Sequence, residues 1–174
     1  NCASLTQIDV EIYNHNYTSQ NGVLYNKDKT LLHAYPAGKS NQNFTVPSGV
    51  ISIGGSAFSG ASSLKNILLP DGLQSIGFGA FSGSGINNIH LPETLTSLGG
   101  SSFKDTSLVY FEIPPLLKTI PYQLFDSVTS LRNLDIPNGV TTIEKAAFWN
   151  CINLQHINIP NSVVSIANDA FAGC

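Results

Sequence analysis

The chain has 174 residues, of which 42% are hydrophobic, and it contains no apolar run long enough to cross a bilayer. Only 11% of the residues are charged, against about 25% in ordinary globular proteins, so neutral Ser, Asn, Thr and Gly must form the polar surface. The 8 basic and 11 acidic side chains give a net charge of -3 without any cluster of Lys or Arg, which argues against nucleic acid as a partner.

The first predicted element is a short strand at 5–10, whose sequence fits the pattern Leu-x-x-Ile-x-Ile or a close variant. The pattern returns further along the chain, each time directly before a proline. Apolar residues two positions apart lie on one face of a strand, and proline ends the strand because it donates no ladder hydrogen bond. We therefore predict one short parallel strand in each repeat, with the side chains at the third and fifth pattern positions pointing outward.

An insertion separates this first strand from the next one. Val10 and its counterpart Val46 are 36 residues apart, where one repeat would place them 23 apart. Two strand-like runs inside the insertion, at 22–25 and 30–35, are joined by a polar turn whose residues tolerate tight geometry. We predict that the insertion, at 11–43, is a β-hairpin that projects from the repeat array.

A proline and a phenylalanine then recur with one period of 22 or 23 residues. The prolines are Pro47, Pro70, Pro92, Pro114, Pro137 and Pro160. Each phenylalanine lies 11 residues after its proline: Phe58, Phe81, Phe103, Phe125, Phe148 and Phe171. Such a period predicts a solenoid in which stacked turns bury a continuous core, with the rings as an internal column. With the strand at 5–10 about seven coils are visible, and we expect turns, extended pieces and short helical turns in their return halves.

The three cysteines share one phase of the repeat. Cys151 and Cys174 each lie three residues after a repeat phenylalanine, and Cys2 fits the same phase. Buried thiols filling a column are the favoured interpretation; a disulfide between Cys151 and Cys174 is the alternative, since stacked coils place equivalent Cα atoms about 4.8 Å apart. Because the sequence starts and stops at one phase, we expect a single repeat domain over 1–174, cut from a longer array, whose open terminal coils allow end-to-end self-association.

The units at 136–151 and 159–174 resemble the leucine-rich repeats of the BspA-like surface antigens, also called the treponemal type. The pattern covers nearly the whole chain and is broken at four positions: Pro115, Pro121, Ser102 and Leu124. The resemblance implies a right-handed leucine-rich repeat solenoid with a concave parallel sheet, in a microbial protein that is secreted or held at the cell surface. It further implies binding to host matrix protein, other cells or glycans, and it brings no catalytic residues or cofactor.

Outward positions of neighbouring strands define a candidate ligand-binding patch. Its residues are Tyr110, His90, Glu112, Asn88, Asn133, Asp135 and His156. An aromatic ring among amides suits a sugar ring or a polar protein surface. An open sheet also needs polar side chains for solubility, so a solvated face without any ligand is the alternative interpretation.

The sequence predicts no catalytic, metal or cofactor site. Glu112 can orient the imidazole of His90, but the pattern places no Ser or Cys nucleophile beside them. Glu112 and Asp135 present few oxygens for Ca²⁺, and an open sheet does not exclude water from acid–base chemistry. We therefore predict a non-catalytic, cell-surface or secreted binding module, with a structural spacer that displays another domain as the alternative.

Overall fold

The computed structural model describes residues 2–174, which form a solenoid of about 6 turns without a helix. Its strands are β1 (Tyr17–Gln20), β2 (Val23–Asn26), β3 (Leu31–Ala34), β4 (Asn43–Thr45), β5 (Ser52–Ile53), β6 (Asn66–Leu68), β7 (Ser75–Ile76), β8 (Asn88–Ile89), β9 (Ser97–Leu98), β10 (Thr119–Ile120), β11 (Asn133–Asp135), β12 (Thr142–Ile143), β13 (His156–Asn158) and β14 (Ser165–Ile166). None of the described residues belongs to a helix long and apolar enough to span a membrane.

The regular turns contribute strands to two faces of the solenoid. On the first face, the strands that precede the repeat prolines pair in parallel as β4-β6-β8 and β11-β13. On the second face, strands that follow the prolines pair in parallel as β5-β7-β9 and β10-β12-β14, and β3 from the insertion pairs in parallel with β5. The first-face strands alternate as predicted, with Ile67 buried between exposed Asn66 and Leu68. The second-face strands, mostly two residues long, are an addition to the one strand per turn expected from the sequence.

The core is built around a column of stacked aromatic rings. From Phe58 to Phe171 the centroids of successive repeat phenylalanines are 5.0, 5.6, 6.1, 5.5 and 5.2 Å apart. Tyr35 extends the column by stacking on Phe58 at 5.1 Å. Aliphatic residues of both faces pack around these rings in one continuous cluster. The internal column predicted from the period is confirmed.

The N-terminal insertion is part of the solenoid, so the prediction that it projects was wrong. β2 and β3 form the predicted antiparallel hairpin, and β1 adds a further antiparallel strand through a turn at Asn21 and Gly22. β3 then pairs in parallel with β5, and the N–H of Tyr35 donates to the carbonyl of Ala57 at 2.7 Å. Because Tyr25 of β2 and Tyr35 are buried, the hairpin takes the place of a return half-turn and does not extend into solvent.

The strand predicted at 5–10 does not form, so the solenoid has about 6 turns where seven coils were expected. The N–H of Ile8 donates to the carbonyl of Gly22 at 3.0 Å, and the N–H of Val10 donates to Ser19 Oγ at 3.0 Å. These bonds tie the segment to the β1–β2 hairpin. The hairpin has no counterpart in the other repeats, and it diverts the segment away from β4.

The first-face strand predicted at 108–113 is also missing, and the ladder is interrupted between β8 and β11. Phe111 occupies the column that holds Phe44 in the first turn and Ile or Leu in the other turns. Its ring packs edge-on against Phe103 and Phe125 at 4.9 and 4.8 Å. Phe44 pairs in register with Ile67, so a phenylalanine in this column is compatible with the ladder. The feature particular to this turn is Pro115, which directly follows the repeat proline Pro114 and has no amide donor.

The second face is interrupted at the same step of the array, between β9 and β10. In a regular turn the residue after the strand donates to the preceding turn, as Gly77 N–H does to the Ile53 carbonyl at 2.8 Å. Pro121 occupies this position after β10 and has no N–H, so the carbonyl of Leu98 receives no such bond. The widest ring separation, 6.1 Å, spans the same step. We call this step, from the turn of β8 and β9 to the next turn, the seam.

A third side of the solenoid stays closed across the seam. The N–H of Phe103 donates to the carbonyl of Leu124 at 3.1 Å. Lys104 Nζ donates to Asp126 Oδ2 at 2.6 Å, and the Asp126 side chain is only 5% exposed. This hydrogen bond raises the pKa of Lys104 above its usual value. The seam therefore lacks its ladder on the second face and, beyond Val109, on the first face, and it is held on the third side.

Cys151 and Cys174 are free thiols in equivalent places, and of the two only Cys151 is buried as the favoured interpretation expects. Buried Cys151 donates through Sγ to the carbonyl of Phe125 at 3.1 Å, and exposed Cys174 donates in the same way to Phe148 at 3.2 Å. Burial raises the pKa of the Cys151 thiol to about 12. Cys2 is an exposed free thiol.

Candidate functional site

A groove of about 380 Å³ opens on the first face where the ladder is interrupted; we call it the first groove. Five of the seven candidate residues line it: His90, Tyr110, Glu112, Asn133 and Asp135. His90 directly follows β8, and Asn133 and Asp135 lie in β11, so the two flanking strands supply the rims. The unpaired segment between them carries Tyr110 and Glu112.

Glu112 links the aromatic and imidazole groups of the first groove. Tyr110 Oη donates to Glu112 Oε1 at 2.6 Å, and His90 Nδ1 lies 3.8 Å from Glu112 Oε2. The side chains of His90 and Glu112 are 80% and 61% exposed. The hydrogen bond to Glu112 raises the pKa of Tyr110 above its usual value. The carboxylate therefore orients the tyrosine ring at the surface and leaves its faces accessible.

The interrupted ladder gives the first groove its floor. Elsewhere on this face the turns are joined by bonds such as Val46 N–H to the Leu68 carbonyl at 2.9 Å. Within the described chain, no backbone bond of this kind joins 110–113 to β8 or β11. Phe111 and Leu134 line the bottom, and Pro114 and Pro137 line one end. The groove thus combines an apolar floor, a polar rim and backbone groups free to bind a ligand.

Two candidate residues lie outside the first groove. Asn88 stands beside Asn66 in the ladder, and Asn66 Nδ2 donates to Asn43 Oδ1 at 2.8 Å. Asn88 therefore continues a column of stacked asparagines along the first-face strands. His156 lies on β13, where it is the register partner of Asn133 and stands one strand beyond the groove. Position in the repeat placed both residues on the correct face but did not reveal where the groove ends.

The residues that create the first groove were not among the candidates. Phe111 stands where four of the other turns have Ile or Leu, and Pro115 adds a second residue without an amide donor directly after the repeat proline Pro114. Both irregularities are visible in the sequence. Across residues 2–174 no group of three or more His, Cys, Asp or Glu side chains is arranged to hold a metal ion. The arrangement is suited to hydrogen bonding and apolar contact with a ligand.

Solved bacterial proteins share this fold. A leucine-rich repeat protein from Eubacterium ventriosum aligns with a TM-score of 0.81 at 28% identity, over 98% of this chain and 53% of that protein. The pneumococcal vaccine antigen PcpA aligns with a TM-score of 0.77 at 25% identity, over 96% of this chain and 42% of its own. A leucine rich cell surface protein from Faecalibacterium prausnitzii aligns with a TM-score of 0.62 at 30% identity, over 99% of this chain and 40% of that protein. The chain therefore spans about half the length of these proteins or less.

No curated protein matches the sequence. The family profile described as the BspA type leucine rich repeat region, in 6 copies, matches residues 33–84 and 51–174. The matched ranges run through both faces, the seam and the first groove. The resemblance inferred from the proline and phenylalanine columns is confirmed, and this chain belongs to the BspA-type leucine-rich repeat family.

Proposed function

We propose that this chain is a non-catalytic binding module whose first groove recognises a protein or glycan ligand on host or neighbouring cells. The observation that carries the proposal is the interrupted ladder at 110–113, which opens a groove under an oriented, 59% exposed Tyr110. Regular repeats need no such opening, and the lost ladder bonds leave polar backbone groups that a ligand can satisfy. An aromatic anchor above an apolar floor is the usual centre of a binding surface.

The same proposal includes that the protein lies at the cell surface or is secreted. Among the structural relatives, PcpA is described as a vaccine antigen and the Faecalibacterium prausnitzii protein as a cell surface protein. Although only 11% of the chain is charged, the first groove is lined by Glu93, Glu112 and Asp135 beside His90. Binding of a cationic ligand there should therefore weaken as the salt concentration rises.

Solvent exposure supports a binding role over catalysis at the first groove. General acid–base catalysis depends on carboxyl and imidazole groups whose pKa is tuned by burial in a site that excludes water. The His90 and Glu112 side chains are 80% and 61% exposed, and the groove is open to solvent. These groups are placed to bind a ligand at the surface rather than to activate one.

The test is a binding screen of the purified chain against matrix proteins, glycans and intact host cells. Tyr110→Ala should weaken binding by about 2 kcal/mol, roughly thirtyfold, as expected for a central aromatic anchor, and His90→Ala should weaken it less. Leu68→Ala is the matched control, because Leu68 is 65% exposed on the same face but lies in β6, outside the groove. If neither Tyr110→Ala nor His90→Ala affects any interaction found, the proposal is wrong and a structural spacer becomes the better description.

A further inference from the structure

The second face carries its own groove at the seam, of about 370 Å³, which we call the second groove. It opens between β9 and β10 because Pro121 cannot donate to the carbonyl of Leu98. The carbonyl of Thr96 also receives no backbone bond, although the equivalent carbonyl of Gln74 accepts from Thr96 N–H at 3.0 Å. Two hydrogen-bond acceptors of the second groove are thus unused within residues 2–174.

Two exposed aromatic side chains lie beside Gly100, which lines the second groove. Phe78 and Tyr122 are 60% and 40% exposed, and both lie two positions after a second-face strand, in turns on either side of Gly100. A Cβ atom at Gly100 would lie 3.5 Å from Phe78 Cε2 and 2.7 Å from the carbonyl oxygen of Tyr122. Any larger residue would clash with that carbonyl, so glycine keeps the space between the two rings free.

The lining of the second groove is mixed and carries no net charge: Leu98, Leu116, Leu117 and Pro121 are apolar, and Thr96, Ser97, Lys118, Thr119 and Glu144 are polar. Ser97 and Thr119 contribute hydroxyl groups, neither of which makes a hydrogen bond within the described part of the chain. Lys118 and Glu144 supply one charge of each sign. Glu144 Oε2 accepts the backbone N–H of Tyr122 at 2.7 Å, which fixes the backbone under the ring. A strongly charged ligand would therefore face one like charge in this groove.

We propose that the second groove is a binding site for neutral carbohydrate. The C–H groups on one face of a sugar ring carry partial positive charge and stack against the negative face of an aromatic ring, here Phe78 and Tyr122. Sugar hydroxyls donate to the free carbonyls of Thr96 and Leu98 and exchange hydrogen bonds with the exposed hydroxyls. The site is separate from the first groove and does not depend on the role proposed there.

The experiment measures binding of neutral cello-, chito-, manno- and galacto-oligosaccharides to the purified chain by calorimetry and by NMR shifts of the Phe78 and Tyr122 rings. At least one class should bind, and Phe78→Ser and Tyr122→Ser should each weaken it tenfold or more. Because Phe78 is largely exposed, Phe78→Ser should unfold at the temperature of the unsubstituted chain. Val164→Ser, which removes an 83% exposed apolar side chain outside both grooves, is the matched control and should leave this affinity unchanged.

Three results would overturn the assignment. The first is that no oligosaccharide of the panel binds at millimolar concentration. The second is that sugar binding is lost in Tyr110→Ser but kept in Phe78→Ser, which would move the sugar to the first groove and support the function proposed there. The third is that an array of neutral peptides, run in parallel, yields a ligand that depends on Phe78 while the sugars do not bind.

Discussion

Truncation of a ring in the middle of the aromatic column is the sharpest test of what stabilises this solenoid. Phe103 is fully buried, stacks between Phe81 and Phe125 at 5.6 and 6.1 Å, and touches the edge of Phe111 at 4.9 Å. Backbone bonds from Phe81 N–H to the Ser102 carbonyl at 2.9 Å and from Phe103 N–H to the Leu124 carbonyl at 3.1 Å hold the turns on both sides of Phe103, so they cannot collapse fully into the space that Phe103→Ala leaves. We expect the free energy of unfolding to fall by about 3–5 kcal/mol, the range for buried aromatic truncations.

Phe171→Ala provides the internal control. Phe171 is only partly buried and stacks on a single ring, Phe148, at 5.2 Å, so its loss should cost about half as much. Urea unfolding followed by circular dichroism measures both values, and an unchanged m-value would show that the transition still covers the same surface. Equal losses for the two variants, or a loss below about 1 kcal/mol for Phe103→Ala, would refute the central role of the column.

Three further predictions concern single groups. Tyr35→Phe should raise the free energy of unfolding in urea by about 1 kcal/mol, because the buried Tyr35 hydroxyl has no hydrogen-bond partner; a decrease would contradict this. Pro121→Ala should restore a donor to the Leu98 carbonyl, and the new amide at residue 121 should be protected from hydrogen exchange. Pro115→Ala is the control, because residue 115 is exposed and its new amide should exchange without protection. Equal exchange rates at the two amides would count against the account of the seam. Burial raises the pKa of Cys151 from 9.0 to about 12, so its contribution to stability is complete below pH 9 and is lost as the pH rises towards 12. Cys151→Ala should flatten the fall in melting temperature over that range, and an equally steep fall would refute the assignment.

The columns of the solenoid could be predicted because each is repeated. A residue such as Phe125 or Ile143 recurs at one position in every turn, and only a stacked array buries such a pattern. The outward alternation of the first face follows from the same rule, which is why Tyr110, Glu112 and Asp135 fall together. Periodicity therefore predicts the features that all turns share.

The departures from these shared features could not be predicted from the columns. The seam coincides with Phe111 and Pro115 on one face and results from the missing amide of Pro121 on the other, and their combined effect depends on these departures lying at the same step of the array. The position of the insertion was likewise set by long-range packing of Tyr25 and Tyr35. One missed element did have a local signal. Asn21-Gly22 is the typical dipeptide of a two-residue hairpin turn, and its φ angles of 52° and 73° fit such a turn between β1 and β2.

The seam also has a mechanical consequence. In an array whose turns touch only their neighbours, resistance to bending is set separately at every step. At the seam the second face lacks its backbone bonds and the first face has lost its ladder beyond Val109, whose N–H donates to the Asn87 carbonyl at 3.5 Å. The third side is held by bonds such as Phe103 N–H to Leu124 and by the Lys104–Asp126 pair. We expect the solenoid to behave as two stiff rods joined by a softer joint. When one end is held and the other is pulled, curvature and strain concentrate at this joint, between the two grooves.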